Sequence, residues 1–209
     1  MCIADSHPEA EVIGVDLSPI QPNFVPPNLQ FQIDDIEKEW TFSRNFDFIF
    51  SRMMTGAITD WKTYIQNCFD HTEPGGYLEV QDICYPPRYI DESGKGTSIE
   101  KWAANMIDGA SKLGVAIDSA KGVKKIMEDI GYLDVVETVY QWPMNTWPAD
   151  KKMKEIGLWA HHAGISNLDG LSMVIYTHGL GWSPEAVTLF LADVRKDMKN
   201  SKIHAYWPM

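Results

Sequence analysis

Cysteine is scarce in this sequence, and its three copies do not form a recognisable set. Cys2, Cys68 and Cys84 have no CxxC spacing and cannot all pair with one another. A disulfide framework is therefore excluded, and we predict free thiols in a reducing compartment. Histidine-based metal motifs are also missing: no HExxH or Cys/His cluster occurs, so we predict no metal site.

Long apolar runs and basic clusters are missing as well. No segment approaches the ~20 apolar residues of a membrane span, and the first residues lack a basic-then-apolar signal. The formal net charge is −11 and the pI is near 4.9, which argues against nucleic acid or an anionic membrane as the main partner. We predict a cytoplasmic protein; nuclear residence stays open, although no Lys/Arg cluster supports it.

Glycine is absent from the first ten residues, just before the most informative part of the chain. The run E11-V-I-G-V-D-L-S-P is followed by L29-Q-F-Q-I-D-D. Apolar runs that each end in Asp are typical of proteins that hold a ribose and a base at the carboxyl ends of parallel strands. A glycine-rich turn normally precedes the first such strand. The sequence therefore indicates a nucleotide-type pocket without its glycine-rich wall.

Strand-like and helix-like segments alternate along the chain. We predict strands of one mostly parallel sheet at 12–17, 29–33, 46–51, 76–83 and 135–142. Amphipathic helices lie between them, and helical patterns continue from Asp150 onward. This order predicts an α/β layered fold. At 209 residues the chain is most simply one domain, with a partial Rossmann-like core at 1–149 and a helical cap region at 150–209.

Several motifs, taken in order, resemble the fungal LaeA-like methyltransferases. They are V12-I-G-V-D-L-S-P-I-Q-P, F31-Q-I-D-D-I-E-K-E-W, F46-D-F-I-F-S-R-M, H71-T-E-P-G-G-Y-L-E-V-Q-D, G131-Y-L-D-V, G179-L-G-W-S and H204-A-Y-W-P. The resemblance covers essentially the whole chain. It implies the class I S-adenosylmethionine-dependent methyltransferase fold, a Rossmann-like three-layer sandwich with a mostly parallel sheet, here truncated at its first strand and carrying a helical appendix.

The sequence departs from this family at both ends. Family members begin with a strand and a D-x-G-x-G-x-G turn upstream of the position of Met1, and they continue past the H204-A-Y-W-P motif into a last strand. In the family the first strand is central. We therefore expect its place to be filled by the N-terminal residues, by a homo-oligomer or protein partner, or by shifted pairing of its neighbours, because unpaired buried backbone is rare.

The resemblance implies S-adenosyl-L-methionine as cofactor and assigns its contacts. Asp16 would accept from the ribose hydroxyls, while Asp35 and the backbone N–H of Ile36 would contact the adenine. The predicted cofactor-binding set is Asp16, Leu17, Asp35, Ile36, Ser51 and Arg52. Alternatives stay open: a turn cap for Asp16, a solvated acidic loop around Asp35 and a surface role for Arg52. Without the glycine-rich turn, we expect S-adenosylmethionine to bind this chain weakly or not at all, weaker by several kcal/mol than it binds a full-length relative, since each lost hydrogen bond to a charged group contributes ~1.5–3 kcal/mol.

Plentiful aromatic side chains favour a small hydrophobic metabolite as substrate. We predict a pocket at the carboxyl ends of the strands, roofed by the segment of Trp159 and His162. The predicted substrate-binding set is Met53, Asp82, Tyr85, Trp159 and His162. One hypothesis makes His162 or its neighbour His161 a general base near a substrate hydroxyl. The simpler alternative is that both side chains lie on the surface of a helix. The sequence identifies no catalytic residue.

Three functions remain open from the sequence. The first is a small-molecule methyltransferase of fungal secondary metabolism, whose sulfonium cofactor needs little acid–base help. The second is a non-methylating cyclase or pericyclase that uses the inherited pocket. The third is a non-catalytic regulatory binding partner.

Overall fold

The computed structural model describes residues 3–209. Met1 and Cys2, and with them the predicted free thiol of Cys2, lie outside the described residues. In the amino-terminal half, β1 (Val12–Asp16) pairs with β2 (Leu29–Ile33), and β3 (Phe46–Arg52) pairs with β4 (Thr72–Gln81), both in parallel. The four predicted strands are confirmed, although β4 begins before Gly75 and Gly76.

The two parallel pairs are separate ladders. Within residues 3–209, no strand pairing joins β1 to β3, so the prediction of one continuous sheet is wrong. Residues Ile3–Ser6 form a short helix, α1, so the described N-terminal residues do not fill the place between the pairs. Shifted pairing is equally absent from this part of the chain. A partner chain at that place stays a prediction.

A third, antiparallel sheet lies near the carboxyl terminus. Its strands follow the order β5 (Arg88–Tyr89), β7 (Ala205–Pro208) and β6 (Gln141–Pro143). The predicted strand at 135–142 is wrong over most of its length, because only its end enters this sheet. Val136 is 84% exposed, so this alternating segment finds no surface that would bury its apolar side chains.

The helices follow their capping signals. Thr97 Oγ accepts from Glu100 N at 3.2 Å at the start of α3, and Ser183 Oγ caps α6 in the same way. The helical pattern predicted from Asp150 onward is confirmed: α5 continues into a π-helical turn, and α6 follows. The remaining bounds are α2 Trp61–Asp70, α3 Ser98–Lys112, α4 Val123–Ile130, α5 Lys151–Val174, the π-turn Ile175–Gly179, α6 Pro184–Lys199, and 3₁₀ turns at Glu92–Gly94 and Ser119–Gly122.

Two hydrophobic cores stabilise the structure. The strand core packs α2 and α4 against one face of β3 and β4, and it centres on Trp61, Ile65 and Cys68. The helical core joins α3, α5, α6 and β7. In the helical core, a Cβ on Gly179 would lie 2.4 Å from the carbonyl oxygen of Gly109. Only glycine permits this close crossing of α3 by the π-turn.

The opposite face of the β3–β4 pair is uncovered in the described residues. Phe48 and Phe50 are 44% and 41% exposed, and their rings stack at 6.3 Å. Tyr77, opposite Phe48 in the register, is also exposed. This aromatic face is therefore a surface feature of the part of the protein described.

Candidate functional site

The carboxyl ends of three strands meet at one edge of the molecule. At the opposite edge, Glu11 and Arg44 form an ion pair of 2.5 Å just before β1 and β3, so these strands run the same way. After β2, Glu37 Oε1 accepts from Thr59 N at 2.8 Å and from Asp60 N at 3.1 Å, in the loop after β3. Loops that follow these strands therefore form one contiguous rim.

Asp16 ends β1 on this rim. Its Oδ1 accepts from Ser18 N at 2.9 Å, and its carbonyl accepts from Asp34 N at 3.1 Å. Within residues 3–209, no donor lies within hydrogen-bond distance of Asp16 Oδ2. The carboxylate thus shapes its own turn with one oxygen and leaves the other unpaired within residues 3–209, while the neighbouring Leu17 is 70% exposed.

Asp35 and Ile36 continue the rim after β2. Asp35 N donates to Asp34 Oδ1 at 2.8 Å, and Asp35 Oδ1 accepts from Glu37 N at 3.0 Å. Ile36 packs on the strand core, and its carbonyl accepts from Trp40 Nε1 at 2.9 Å. The loop is therefore held by its own hydrogen bonds rather than being a freely solvated acidic run, and Asp34 is one of the acceptors that shape it.

Glu37 is a rim residue that sequence reasoning missed. The hydrogen bond from the Thr59 hydroxyl, at 2.7 Å, is the main cause that lowers the pKa of Glu37. Amide donors of the same loop lower it further. The sequence signal for Glu37 is its place in the F31-Q-I-D-D-I-E-K-E-W motif, where a charged run is equally typical of a solvated surface.

Asp82 fastens the loops after β3 and β4 to each other. Its Oδ2 accepts from Met54 N at 2.7 Å and Thr55 N at 2.8 Å, and its Oδ1 accepts from Ile83 N at 2.8 Å. The side chain is only 8% exposed. Both oxygens are engaged by backbone, so Asp82 positions the rim rather than presenting a free carboxylate to a substrate.

The three residues at the end of β3 point in different directions. Ser51 is buried beside Tyr64, because alternate side chains of a strand face opposite sides. Arg52 is exposed, and within residues 3–209 no carboxylate lies at ion-pair distance. Met53 is 49% exposed and has a φ of +58°, a conformation that is rare for a residue with a side chain.

The predicted roof is arranged differently from expectation. Tyr85 is buried, with its ring centroid 6.0 Å from that of Trp102 and 5.3 Å from that of Trp207. Trp159 is 68% exposed and His162 is exposed. His161, not His162, faces the interior of the helical core. The structure thus brings Asp16, Asp35, Arg52, Met53 and Asp82 to one rim and leaves Trp159 and His162 on the surface.

Other chemistries find no support in the described part of the chain. Residues 3–209 contain no group of His, Cys, Asp and Glu that would hold a metal ion. Burial raises the pKa of the Cys68 thiol to about 12, and it also raises that of Cys84, so neither is an activated nucleophile. In the same range, every helix is too short or too polar to cross a membrane.

Comparison with known proteins agrees with this geometry. A family profile described as a methyltransferase domain matches residues 3–137. Over 97% of its length the chain is 33% identical to the methyltransferase pytC of Aspergillus terreus, covering 63% of that protein. It is 34% identical to the secondary metabolism regulator LAE1 of Cochliobolus heterostrophus, covering 68%, and 28% identical to the protein-methionine methyltransferase laeA of Emericella nidulans, covering 55%. The chain thus spans between about half and two thirds of the length of these relatives.

Proposed function

Because this chain belongs to the methyltransferase-domain family, in its LaeA-like fungal group and with its class I α/β fold, we propose that it serves S-adenosylmethionine-dependent methyl transfer. The substrate proposed is a small hydrophobic molecule of secondary metabolism. The observation that carries this proposal is the pair of carboxylates at the carboxyl ends of β1 and β2. Asp16 and Asp35 each use one oxygen within their own turn and keep the other for a ligand.

The residues on the rim fit the adenosine half of the cofactor. The free oxygen of Asp16 would accept from a ribose hydroxyl, and Asp35 would accept from the exocyclic amine of adenine, beside the amide of Ile36. The cofactor, when bound, supplies a methyl group on an activated sulfonium. The chain contributes binding and orientation, with the exposed Arg52 and Met53 facing the space beyond β3.

Adenosine is the sharpest probe of this proposal, because the described residues fit that half of the cofactor. Titration calorimetry of the chain with adenosine and with S-adenosylhomocysteine should detect binding of both. Asp16→Ala should weaken both at least about ten-fold, since a hydrogen bond to a charged group contributes ~1.5–3 kcal/mol. Asp47→Ala, an exposed carboxylate of β3 away from the rim, is the matched control and should leave binding unchanged.

Two results would overturn the proposal. One is that neither compound binds the folded chain; the other is that Asp16→Ala and Asp47→Ala bind alike. Binding that passes this test should then be followed by transfer of a labelled methyl group to candidate apolar acceptors. No observation on residues 3–209 favours the cyclisation alternative.

A regulatory binding role is the second candidate, and a specific surface favours it. Phe48, Phe50 and Tyr77 form a contiguous exposed aromatic face on β3 and β4. Exposed apolar side chains are ordinarily scattered singly over a protein surface, and contiguous patches mark interaction sites. One of the relatives described above, LAE1 of Cochliobolus heterostrophus, is named a regulator of secondary metabolism. If adenosine does not bind, substitution of Phe50 by Ser should test this face, since loss of a protein partner without loss of folding would support this role.

A further inference from the structure

The ligand contacts proposed above are divided between the two parallel pairs of strands. Asp16 and Asp35 follow β1 and β2, whereas Arg52 ends β3 in the other pair. Within residues 3–209, no strand pairing joins β1 to β3, and the ion pair of Glu11 with Arg44 lies at the opposite edge. A ligand that contacts both pairs therefore needs side chains that hold the two pairs at a fixed distance on the rim.

Glu37 makes this link. Its Oε1 accepts from Thr59 N at 2.8 Å, from the Thr59 hydroxyl at 2.7 Å and from Asp60 N at 3.1 Å. In the described residues, all hydrogen bonds between the loops after β2 and β3 end on this one oxygen. Asp60 also caps α2 by accepting from Thr63 N at 3.1 Å. Glu37 thus attaches the loop of Asp35 to the start of a helix.

The loop after β3 is held at both of its ends by carboxylates from neighbouring loops. Asp82, after β4, accepts from the amides of Met54 and of the next residue, and Glu37, after β2, accepts from Thr59. Between these attachments, Ile58 is buried in the strand core. The loop after β3 is therefore fixed in place, and the Glu37 side chain sets its distance from the loop after β2.

The turn that contains Asp35 does not need the Glu37 side chain. Asp35 Oδ1 accepts from the backbone N–H of Glu37 at 3.0 Å, and the carbonyl of Ile36 accepts from Trp40 Nε1 at 2.9 Å. Neither bond uses the Glu37 carboxylate, so both remain when it is removed. The carboxylate serves the placement of one loop against the other rather than the shape of the Asp35 turn.

We propose that Glu37 is a positioning residue for the cofactor, a role that rests on the proposed function: it holds the adenosine contacts of the β1–β2 pair at a fixed distance from the end of β3. Glu37 itself does not contact the ligand and acts through Thr59 and Asp60. A ligand confined to the β1–β2 pair should not sense the loss of Glu37. A ligand that contacts both pairs should bind less tightly.

Adenosine and S-adenosylhomocysteine are these two ligands, because the second adds an amino-acid tail to the first. The tail carries a carboxylate, and the exposed Arg52 has no carboxylate partner within residues 3–209, so we assign the tail to the β3 side. In titration calorimetry, Glu37→Ala should lower the affinity for S-adenosylhomocysteine about ten-fold, as expected for the loss of a hydrogen bond to a charged group. The affinity for adenosine should change by less than about two-fold.

Glu39 provides the matched control. It is exposed two residues further along the same loop and has no hydrogen bond or ion pair within residues 3–209, so Glu39→Ala removes the same charge and should leave both affinities unchanged. Glu37→Gln keeps one acceptor oxygen and should restore part of the lost affinity for S-adenosylhomocysteine; it also serves if Glu37→Ala does not fold. Thr59→Val removes one of the three donors and should have a smaller effect in the same direction.

The titrations distinguish failure of this role from failure of the proposed function. If neither compound binds the unaltered chain, both are overturned. If both compounds bind and Glu37→Ala leaves the ratio of their affinities unchanged, only the positioning role is overturned. An equal loss for both compounds would make Glu37 a general structural residue, and an equal effect of Glu39→Ala would reduce its role to loop charge; either result overturns the positioning role as well.

Discussion

Removal of the Asp82 carboxylate should separate the loops that form the rim. Three backbone amides converge on this side chain at 2.7–2.8 Å, two of them from the loop after β3 and one from the residue next to Asp82 itself. The carboxylate is 8% exposed. A substitution of Asp82 therefore leaves three backbone amides without their acceptor, at a place that water reaches only in part.

The size of the effect follows from these contacts. Each hydrogen bond to a charged group contributes ~1.5–3 kcal/mol, but Met54 and Thr55 are half-buried and water compensates some of the loss. We expect Asp82→Ala to lower the free energy of unfolding by about 3–4 kcal/mol. Asp82→Asn keeps one acceptor oxygen and turns an amide toward the Ile83 N–H, so it should cost about 2 kcal/mol.

Urea unfolding monitored by circular dichroism measures these free energies from the shift of the midpoint urea concentration, provided that the slope of free energy against urea stays constant. Asp47→Asn is the control, because Asp47 is exposed on β3, and its effect should stay within ~0.5 kcal/mol. Hydrogen exchange at Met54 and Thr55 should accelerate in both Asp82 variants. The reasoning is refuted if Asp82→Asn and Asp47→Asn have the same stability and the same exchange rates.

Two further predictions concern other parts of the fold. Hydrogen bonds from Ser93 and His204 lower the pKa of Asp91 from 3.8 to about 2. The Asp91 carboxylate therefore contributes fully to stability above pH 4, and its contribution is lost as the pH falls towards 2. The difference in unfolding free energy between the unaltered chain and Asp91→Asn should shrink across that pH window, and a constant difference would contradict the prediction. Gly179→Ala should lower the free energy of unfolding by about 2–3 kcal/mol through the clash with Gly109, whereas Gly170→Ala, with open space at its Cβ, should raise it by up to ~1 kcal/mol. Equal melting temperatures for these two variants would refute the packing argument.

Local signals in the sequence predicted the strands and helix ends well. β1 to β4 stand where short apolar runs end in polar residues, and Thr97 and Ser183 cap their helices as their spacing predicts. The predictions were wrong where a segment forms its structure only by packing against another segment. The 135–142 run has the alternation of a strand, but no described surface lies against Val136, and propensity alone does not bury a side chain.

Sheet continuity was the other failure, for a related reason. A strand's position along the chain is a local property, whereas its neighbours are set by the whole topology. The sequence placed Asp16 and Asp35 after successive strands, and the structure brings both to one rim. It did not predict that Glu37 would join the rim to Thr59, because a Glu in a charged run looks the same whether it is solvated or receives three donors.

The inner face of α5 lines a small cavity together with Trp102, Met198 and Trp207, and the residue types on this face explain why the sequence does not predict that cavity. The residues that face inward are spaced by four or three, from Gly157 through His161, Gly164 and Leu168 to Ser172. This spacing is the helical repeat, yet only Leu168 in that stripe is strongly apolar. A hydrophobicity pattern therefore favours Trp159 on the exposed side of the same helix. Small and polar residues on this stripe leave space where larger apolar residues would have filled the core, and they leave His161 Nδ1 buried without a partner in residues 3–209. This is the physical reason that the helix lines a cavity.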